Sequence, residues 1–138
     1  MRFHDGAAVA VAATATPAAA QISDDVVKIG VLTDMSSLYA DATGKGSQTA
    51  VEMAVADYGG KVAGKPVVVI GGDHQNKPDT GVAIARNWFD TDKVDVIMDV
   101  PTSSVALAIQ TIVREKNKLF INSGGGSSDL TGVACSPN

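Results

Sequence analysis

Four short apolar runs alternate with three segments of helical period, and this alternation constrains the fold more than any other feature of the chain. The runs are residues 26–32, 67–70, 93–98 and 119–122, each of strand length and each nearly continuous in apolar residues. Between the first two, Val51, Ala54, Val55 and Tyr58 fall at i, i+3, i+4 and i+7 and share one helix face, and Gly59-Gly60 ends that helix. Gly64-Lys65-Pro66 turns the chain into the second run, which Gly71-Gly72-Asp73 closes. Pro78 opens the next helix, where its missing N–H is harmless, and Val82, Ala85 and Phe89 line it with Ile84 and Trp88 flanking. Val105, Ala108, Ile109, Ile112 and Val113 mark the third and most regular helix, with Lys116 and Lys118 complementing its C-terminal dipole. Helical crossovers between short apolar strands imply parallel pairing and right-handed connections. The predicted class is α/β, a three-layer αβα parallel sheet. Four parallel strands with an uncovered edge form an incomplete unit, which reads as a truncated chain.

In such a sheet the strands all end on one edge, and ligands bind there, where the strand order reverses. Three polar turns emerge on that edge: Thr33-Asp34-Met35-Ser36-Ser37, Asp99-Val100-Pro101-Thr102-Ser103-Ser104 and Asn122-Ser123-Gly124-Gly125-Gly126-Ser127-Ser128. They carry hydroxyls, backbone N–H groups and helix starts, but almost no strong base or nucleophile. That composition suits holding a small polar ligand rather than transforming it.

Each turn has two readings. One of Thr102, Ser103 and Ser104 is the N-cap of the third helix, which accounts for a hydroxyl without any ligand. Three hydroxyls after Pro101 exceed what a cap requires, and the first-turn N–H groups and dipole favour a carboxylate. Gly124-Gly125-Gly126 is either a flexible connector or a second set of donors. It is not a phosphate loop, because no Gly-Lys-Ser/Thr follows. Tyr39 either stacks on a flat ligand or packs at the rim. Asp34, Asp73 and Asp99 end strands, where turn duty is commoner than metal binding. His4 and His74 are isolated, without zinc-ligand spacing, and no Gly-x-Ser-x-Gly elbow is present. No cofactor, metal or catalytic residue is expected.

Composition narrows the partners. The 138 residues allow one domain or part of a larger one, and 45% hydrophobic with 19% charged residues suits a packed core. The net charge of −4 and singly scattered lysines leave no basic stripe, and 4% aromatics leave no base-stacking platform, so nucleic acid is not an expected partner. Cys135 stands alone, either an incidental small apolar residue or a thiol whose partner lies elsewhere. Residues 1–20 are almost all Ala, Val and Thr, and Ala18-Ala19-Ala20 fits a signal-peptidase site. His4, Asp5 and Pro17 depart from the usual leader pattern; a disordered Ala-rich tail is the other reading. Residues 1–20 are thus read as an export leader, and residues 21–138 as part of an N-terminal ligand-binding lobe.

The residues also carry a family likeness. Lys28-Ile-Gly-Val-Leu-Thr-Asp-Met-Ser-Ser, Gly46 with its Ala-rich helix, and Gly64-Lys-Pro before a strand ending in Asp73 come first. Asp95-Val-Ile-Met-Asp-Val-Pro-Thr-Ser-Ser and Phe120-Ile-Asn-Ser-Gly-Gly-Gly-Ser-Ser-Asp-Leu-Thr follow. In this order and spacing they resemble the type I periplasmic solute-binding proteins, closest to the leucine/isoleucine/valine-binding family of ABC importers. The resemblance covers about residues 26–131. It implies two α/β lobes hinged around a cleft, a small carboxylate (an amino acid or an aromatic acid) held between them, periplasmic location, and docking of the closed form on a membrane permease. It implies that Pro101, Thr102 and Ser103 grip the ligand carboxylate, that Gly124, Gly125 and Ser127 supply further donors, and that the turn from Ser36 to Tyr39 closes over the ligand. The amino-acid-binding branch has Ala-Ala-Thr in place of Gly124-Gly125-Gly126. Loss of those side chains is expected to widen the pocket and resembles the branch that binds aromatic carboxylates. The family's second lobe is missing from this chain. Two rival readings are a phospho-receiver domain phosphorylated on Asp99, and a sensor domain of the same fold joined to a signalling module.

Overall fold

A computed structural model describes residues 22–138, so the expected leader of residues 1–20 lies outside the described residues. Five strands form one sheet in the order β2-β3-β1-β4-β5. The strands are β1 (Val27–Thr33), β2 (Lys61–Val62), β3 (Lys65–Asp73), β4 (Val96–Asp99) and β5 (Leu119–Asn122). β1 pairs in parallel with β3 on one side and β4 on the other, and β4 pairs in parallel with β5. The chain leaves β1 for β3 on its left and then returns to β4 on its right. The order therefore reverses between β1 and β4.

The predicted strands are all present, and β2 is an addition. It pairs antiparallel with the start of β3 through a tight turn at Ala63 and Gly64, both with positive φ (50° and 80°). Two residues are too few for periodicity to reveal. β3 also runs longer than its apolar stretch, because Gly71, Gly72 and Asp73 continue the ladder against Val31, Leu32 and Thr33.

Three helices connect the strands: α1 (Gly44–Asp57), α2 (Pro78–Asn87), continued by a wider π-turn over Trp88–Asp92, and α3 (Ser103–Lys116). Pro78 stands in the first turn of α2, and Asn117 in the left-handed region ends α3. α1 covers one sheet face, while α2 and α3 cover the other, giving three layers. The main core lies on the α2/α3 side, where Leu32, Ala85, Val94, Ile97, Val100, Val105, Ala106 and Ile109 are fully buried. The Trp88 ring packs against two glycines of adjacent strands. A Cβ at Gly30 would come within 2.5 Å of its ring, and one at Gly72 within 2.7 Å.

The α1 face is less well covered. Val51 and Val55 are half-buried against the sheet as their spacing predicts, but Tyr58 from the same predicted stripe is 75% exposed. Leu119 and Ile121 on edge strand β5 are also exposed. Among the described residues no helix is long and apolar enough to cross a membrane.

Candidate functional site

The carboxyl ends of β1, β3, β4 and β5 gather the polar turns on one edge. Two carboxylates shape the turn after β1. Asp34, fully buried, accepts hydrogen bonds from Ser37 N (2.9 Å), Tyr39 N (2.9 Å), the Ser37 hydroxyl (2.6 Å) and, more loosely, Ser36 N (3.4 Å). Asp73 accepts from Met35 N and Gln75 N, both at 2.9 Å, and from the Ser36 hydroxyl at 2.6 Å. Burial pushes both carboxyls up, but these donors outweigh it and hold each below the usual carboxylate range. Both acids thus serve their own turns. They present Ser36 and Tyr39 at the surface, with Leu38 76% exposed between them.

His74 follows β3 and is fully buried. Its Nδ1 accepts from Asn76 N at 3.0 Å, so a neutral ring carries its proton on Nε2. Burial pushes the imidazole pKa down, against the pull of Asp34, Asp73 and Asp99, and keeps the ring neutral.

The turn after β4 is strained. Asp99 and Val100 both have positive φ, 80° and 55°, which is uncommon for any residue with a side chain and an outlier for a β-branched one. Such conformations cost on the order of 1–3 kcal/mol each and persist where surrounding bonds enforce them. Val100 N donates to the Leu32 carbonyl (2.9 Å), and Asn122, at the end of the neighbouring strand, supplies further bonds. Its Nδ2 donates to the carbonyls of Asp99 (3.0 Å) and Val100 (2.8 Å), and its Oδ1 accepts from Gly125 N (2.7 Å). Ser123 donates its hydroxyl to Asp99 Oδ1 at 2.5 Å.

Pro101 and Thr102 then lead into α3. Thr102 is the N-cap residue, yet its side chain makes no capping hydrogen bond, and its Oγ1 is buried without a partner among the described residues. Ser103 faces the glycine loop, and its Oγ accepts from both Gly126 N (3.1 Å) and Ser127 N (3.2 Å). A serine oxygen has two lone pairs and one proton. With both lone pairs engaged, Ser103 has only its O–H left to offer, as a donor.

The second and third turns therefore meet. A Cβ at Gly124 would come within 3.0 Å of Pro101 Cα, and one at Gly125 within 2.6 Å of both Asn122 Oδ1 and Leu130 Cδ1. Only at Gly126 does a Cβ find open space within 4 Å. The glycines thus do more than remove bulk from a pocket: at two of the three positions the space is filled by loop-to-loop packing. Several N–H groups of this loop are likewise occupied, by Asn122 and Ser103, and the Ser127 hydroxyl accepts from Asp129 N. Ser36 and Tyr39 share the edge, but no hydrogen bond joins either to the other two turns among the described residues. Sequence reasoning passed over Asn122. The available signal was an asparagine ending a strand directly before a glycine run, since such side chains bond nearby backbone.

Two sizeable concavities flank the sheet, and neither is lined by Pro101, Thr102 or Ser103. One of about 380 Å³ is the apolar gap between α1 and the sheet, lined by Val27, Ile29, Val51, Val55 and Met98 among others. Another of about 480 Å³ borders Gln110, Phe120 and the glycine loop but not Pro101, Thr102 or Ser103. A smaller one of about 210 Å³ opens between α1 and the ends of β4 and β5, lined by Ser47, Ala50, Asp99 and Ser123 among others. No three His, Cys, Asp or Glu side chains gather in a way that could hold a metal ion among the described residues.

With this edge in view, residues 26–138 match the family model described as periplasmic binding protein. The chain belongs to that family. Among curated proteins it finds no significant match, but solved structures extend the likeness. A periplasmic binding protein from Burkholderia mallei is 48% identical with a TM-score of 0.80, the match covering 82% of this chain and 30% of that one. A branched chain amino acid ABC transporter periplasmic ligand-binding protein from Burkholderia xenovorans is also 48% identical, with a TM-score of 0.77 over 80% of this chain and 29% of that one. A solute-binding protein of an ABC transporter from Rhodopseudomonas palustris, solved with benzoate, is 27% identical with a TM-score of 0.75 over 82% of this chain and 31% of that one. The chain thus spans about 30% of the length of these relatives. Its three-layer sheet is the one the family resemblance implied.

Proposed function

We propose that this chain forms one wall of the ligand cleft of an exported ABC-importer receptor, and that the edge at Thr102 and Ser103 binds the carboxylate of a small solute. The observation that carries the reading is Ser103. The glycine loop occupies both of its lone pairs, which leaves an O–H donor beside the first turn of α3, where the helix dipole favours an anion. Thr102 Oγ1, buried and unpartnered, adds a second hydroxyl there. Capture is non-covalent. Asp34 and Asp73 serve their own turns and His74 is buried and neutral, so among the described residues at this edge these three groups are committed to the fold rather than to proton transfer. Ser36 and Tyr39 close over the ligand from the β1 turn, and Gly124, Gly125 and Ser127 shape the opposite side. A second lobe supplies the facing wall, and the closed form docks on a membrane permease from the periplasm.

The ligand class is an amino acid or an aromatic acid, since relatives of both descriptions share this lobe. The phospho-receiver reading has no support from the family. Asp99 is 7% exposed, and one of its oxygens already accepts from Ser123.

The test is calorimetric titration of the full-length protein with benzoate, 4-hydroxybenzoate and L-leucine. Hydrogen bonds to a charged group contribute roughly 1.5–3 kcal/mol, so Thr102→Ala and Ser103→Ala should each weaken the bound carboxylate about tenfold or more. Unchanged affinity in both variants overturns the siting, and binding of none of these probes to the wild-type protein overturns the ligand class.

A further inference from the structure

Ser103 is held by the glycine loop, and the glycine loop is held by Asn122. The Asn122 amide uses three of its hydrogen-bonding positions on backbone. Two of its bonds reach the carbonyls of the left-handed Asp99–Val100 pair at 3.0 and 2.8 Å. The third accepts from Gly125 N at 2.7 Å. One residue further, Gly126 N and Ser127 N reach back across the gap to Ser103 Oγ. These contacts close a ring that runs from Asn122 through the β4 turn to Ser103, and back through the glycine loop to Asn122.

We propose that Asn122 is a positioning residue for this site. It locks the strained β4–α3 turn and the glycine loop into one rigid unit, and thereby keeps the Ser103 hydroxyl a donor toward the ligand.

The chemistry requires an amide at this position. Two carbonyl oxygens need a donor, and one N–H needs an acceptor. A carboxylate would set a negative oxygen against two carbonyls, and a hydroxyl is too short to serve all three groups. The geometry also explains why the loop begins with glycines. A Cβ at Gly125 would fall 2.6 Å from Asn122 Oδ1 and displace the amide. The strain at Val100 explains why the lock is needed. That residue is fully buried, so its side chain is committed to the core while its backbone sits in an unfavourable region. Without the two Nδ2 bonds the turn gains by relaxing toward negative φ, and relaxation moves Pro101, Thr102 and Ser103 together.

The role of Asn122 in ligand affinity rests on the carboxylate-binding reading above, so the test uses two readouts. The first needs no ligand. In full-length protein, residue-resolved amide hydrogen exchange of Asn122→Ala and Asn122→Asp should accelerate at least tenfold at Gly126 and Ser127 and also at Ala106 of α3, whose N–H donates to the Thr102 carbonyl. Val31 and Val69 in the central strands should stay unchanged. Acceleration confined to Gly125, with Gly126, Ser127 and α3 at wild-type rates, overturns the lock. Acceleration spread evenly over the central strands also overturns it, because Asn122 would then be only a general stabiliser.

The second readout is a double-mutant cycle on benzoate affinity with Ser103→Ala. Asn122→Ala should weaken benzoate at least tenfold in the wild-type background and less than twofold in the Ser103→Ala background. Equal losses in both backgrounds, or no loss in the first, overturn action through Ser103. If the wild-type protein binds none of benzoate, 4-hydroxybenzoate and L-leucine, the carboxylate reading fails, and exchange at Gly126 and Ser127 still decides whether Asn122 joins the two turns.

Discussion

At the scale of single residues, the three consecutive glycines are not equivalent. Gly124 and Gly125 are packed against Pro101, Asn122 and Leu130, whereas Gly126 faces open space at a φ that side chains accept. Gly125→Ala should therefore lose about 1–3 kcal/mol of stability through overpacking. Gly126→Ala should stay within about 0.5 kcal/mol, as surface changes usually do. Urea denaturation of the two variants checks this, and equal losses would contradict the packing. The sequence showed that this run could bend and approach other backbone. It did not show which glycine meets which neighbour, because that depends on the distant Pro101 and on how the loop folds Leu130 back onto Gly125. Asn122 was overlooked for a related reason: its two bonds to the carbonyls of Asp99 and Val100 are legible only once β4 and β5 are side by side.

At the scale of elements, strand and helix identities followed from periodicity wherever one face is packed. The third helix is the clearest case, with Val105, Ile109, Ile112 and Val113 all buried as their spacing predicts. Trp88 shows the limit of that reasoning. It looked like a flanking residue of α2, but the wider turn of Trp88–Asp92 swings it onto the sheet above Gly30 and Gly72. The glycines of two strands and the one tryptophan thus form a single interlocking unit. Trp88→Ala should cost about 3–5 kcal/mol, the usual range for removing a large buried aromatic. Gly30→Ala should cost about 1–3 kcal/mol because the new methyl enters the ring's space. Chemical denaturation measures both, and a neutral Gly30→Ala would show that the ring can move aside.

At the scale of the whole molecule, buried ionisable groups at the sheet edge couple stability to pH. The folded His74 pKa lies below its unfolded value, so the folded state prefers the neutral ring. That contribution is fully present above about pH 6.5, the unfolded value, and is lost as pH falls toward the lower folded value. Asp34 and Asp73 are also depressed, so their contribution holds above about pH 4 and is lost as pH falls through their folded values. Two separate acid-induced losses should follow. His74→Asn keeps an acceptor for Asn76 N but cannot titrate, so it should abolish the loss that sets in as pH falls below about 6.5 and leave the later one in place. Thermal melts across pH check this, and an unchanged slope in His74→Asn would assign the first loss elsewhere.

The sequence by itself determined the layered α/β class, the parallel pairing, and the edge on which polar turns collect, because each follows from local periodicity and from the handedness of short crossovers. It also carried the family likeness, since ordered motifs survive without any knowledge of contacts. Tertiary structure alone decided how those turns join. The Ser103 hydroxyl is made a donor by amides 23 and 24 residues away, and the strain at Val100 is held by a side chain 22 residues away. Such bonds depend on two strand ends lying side by side in register, and a linear pattern of apolar and polar residues does not encode which lone pair meets which N–H.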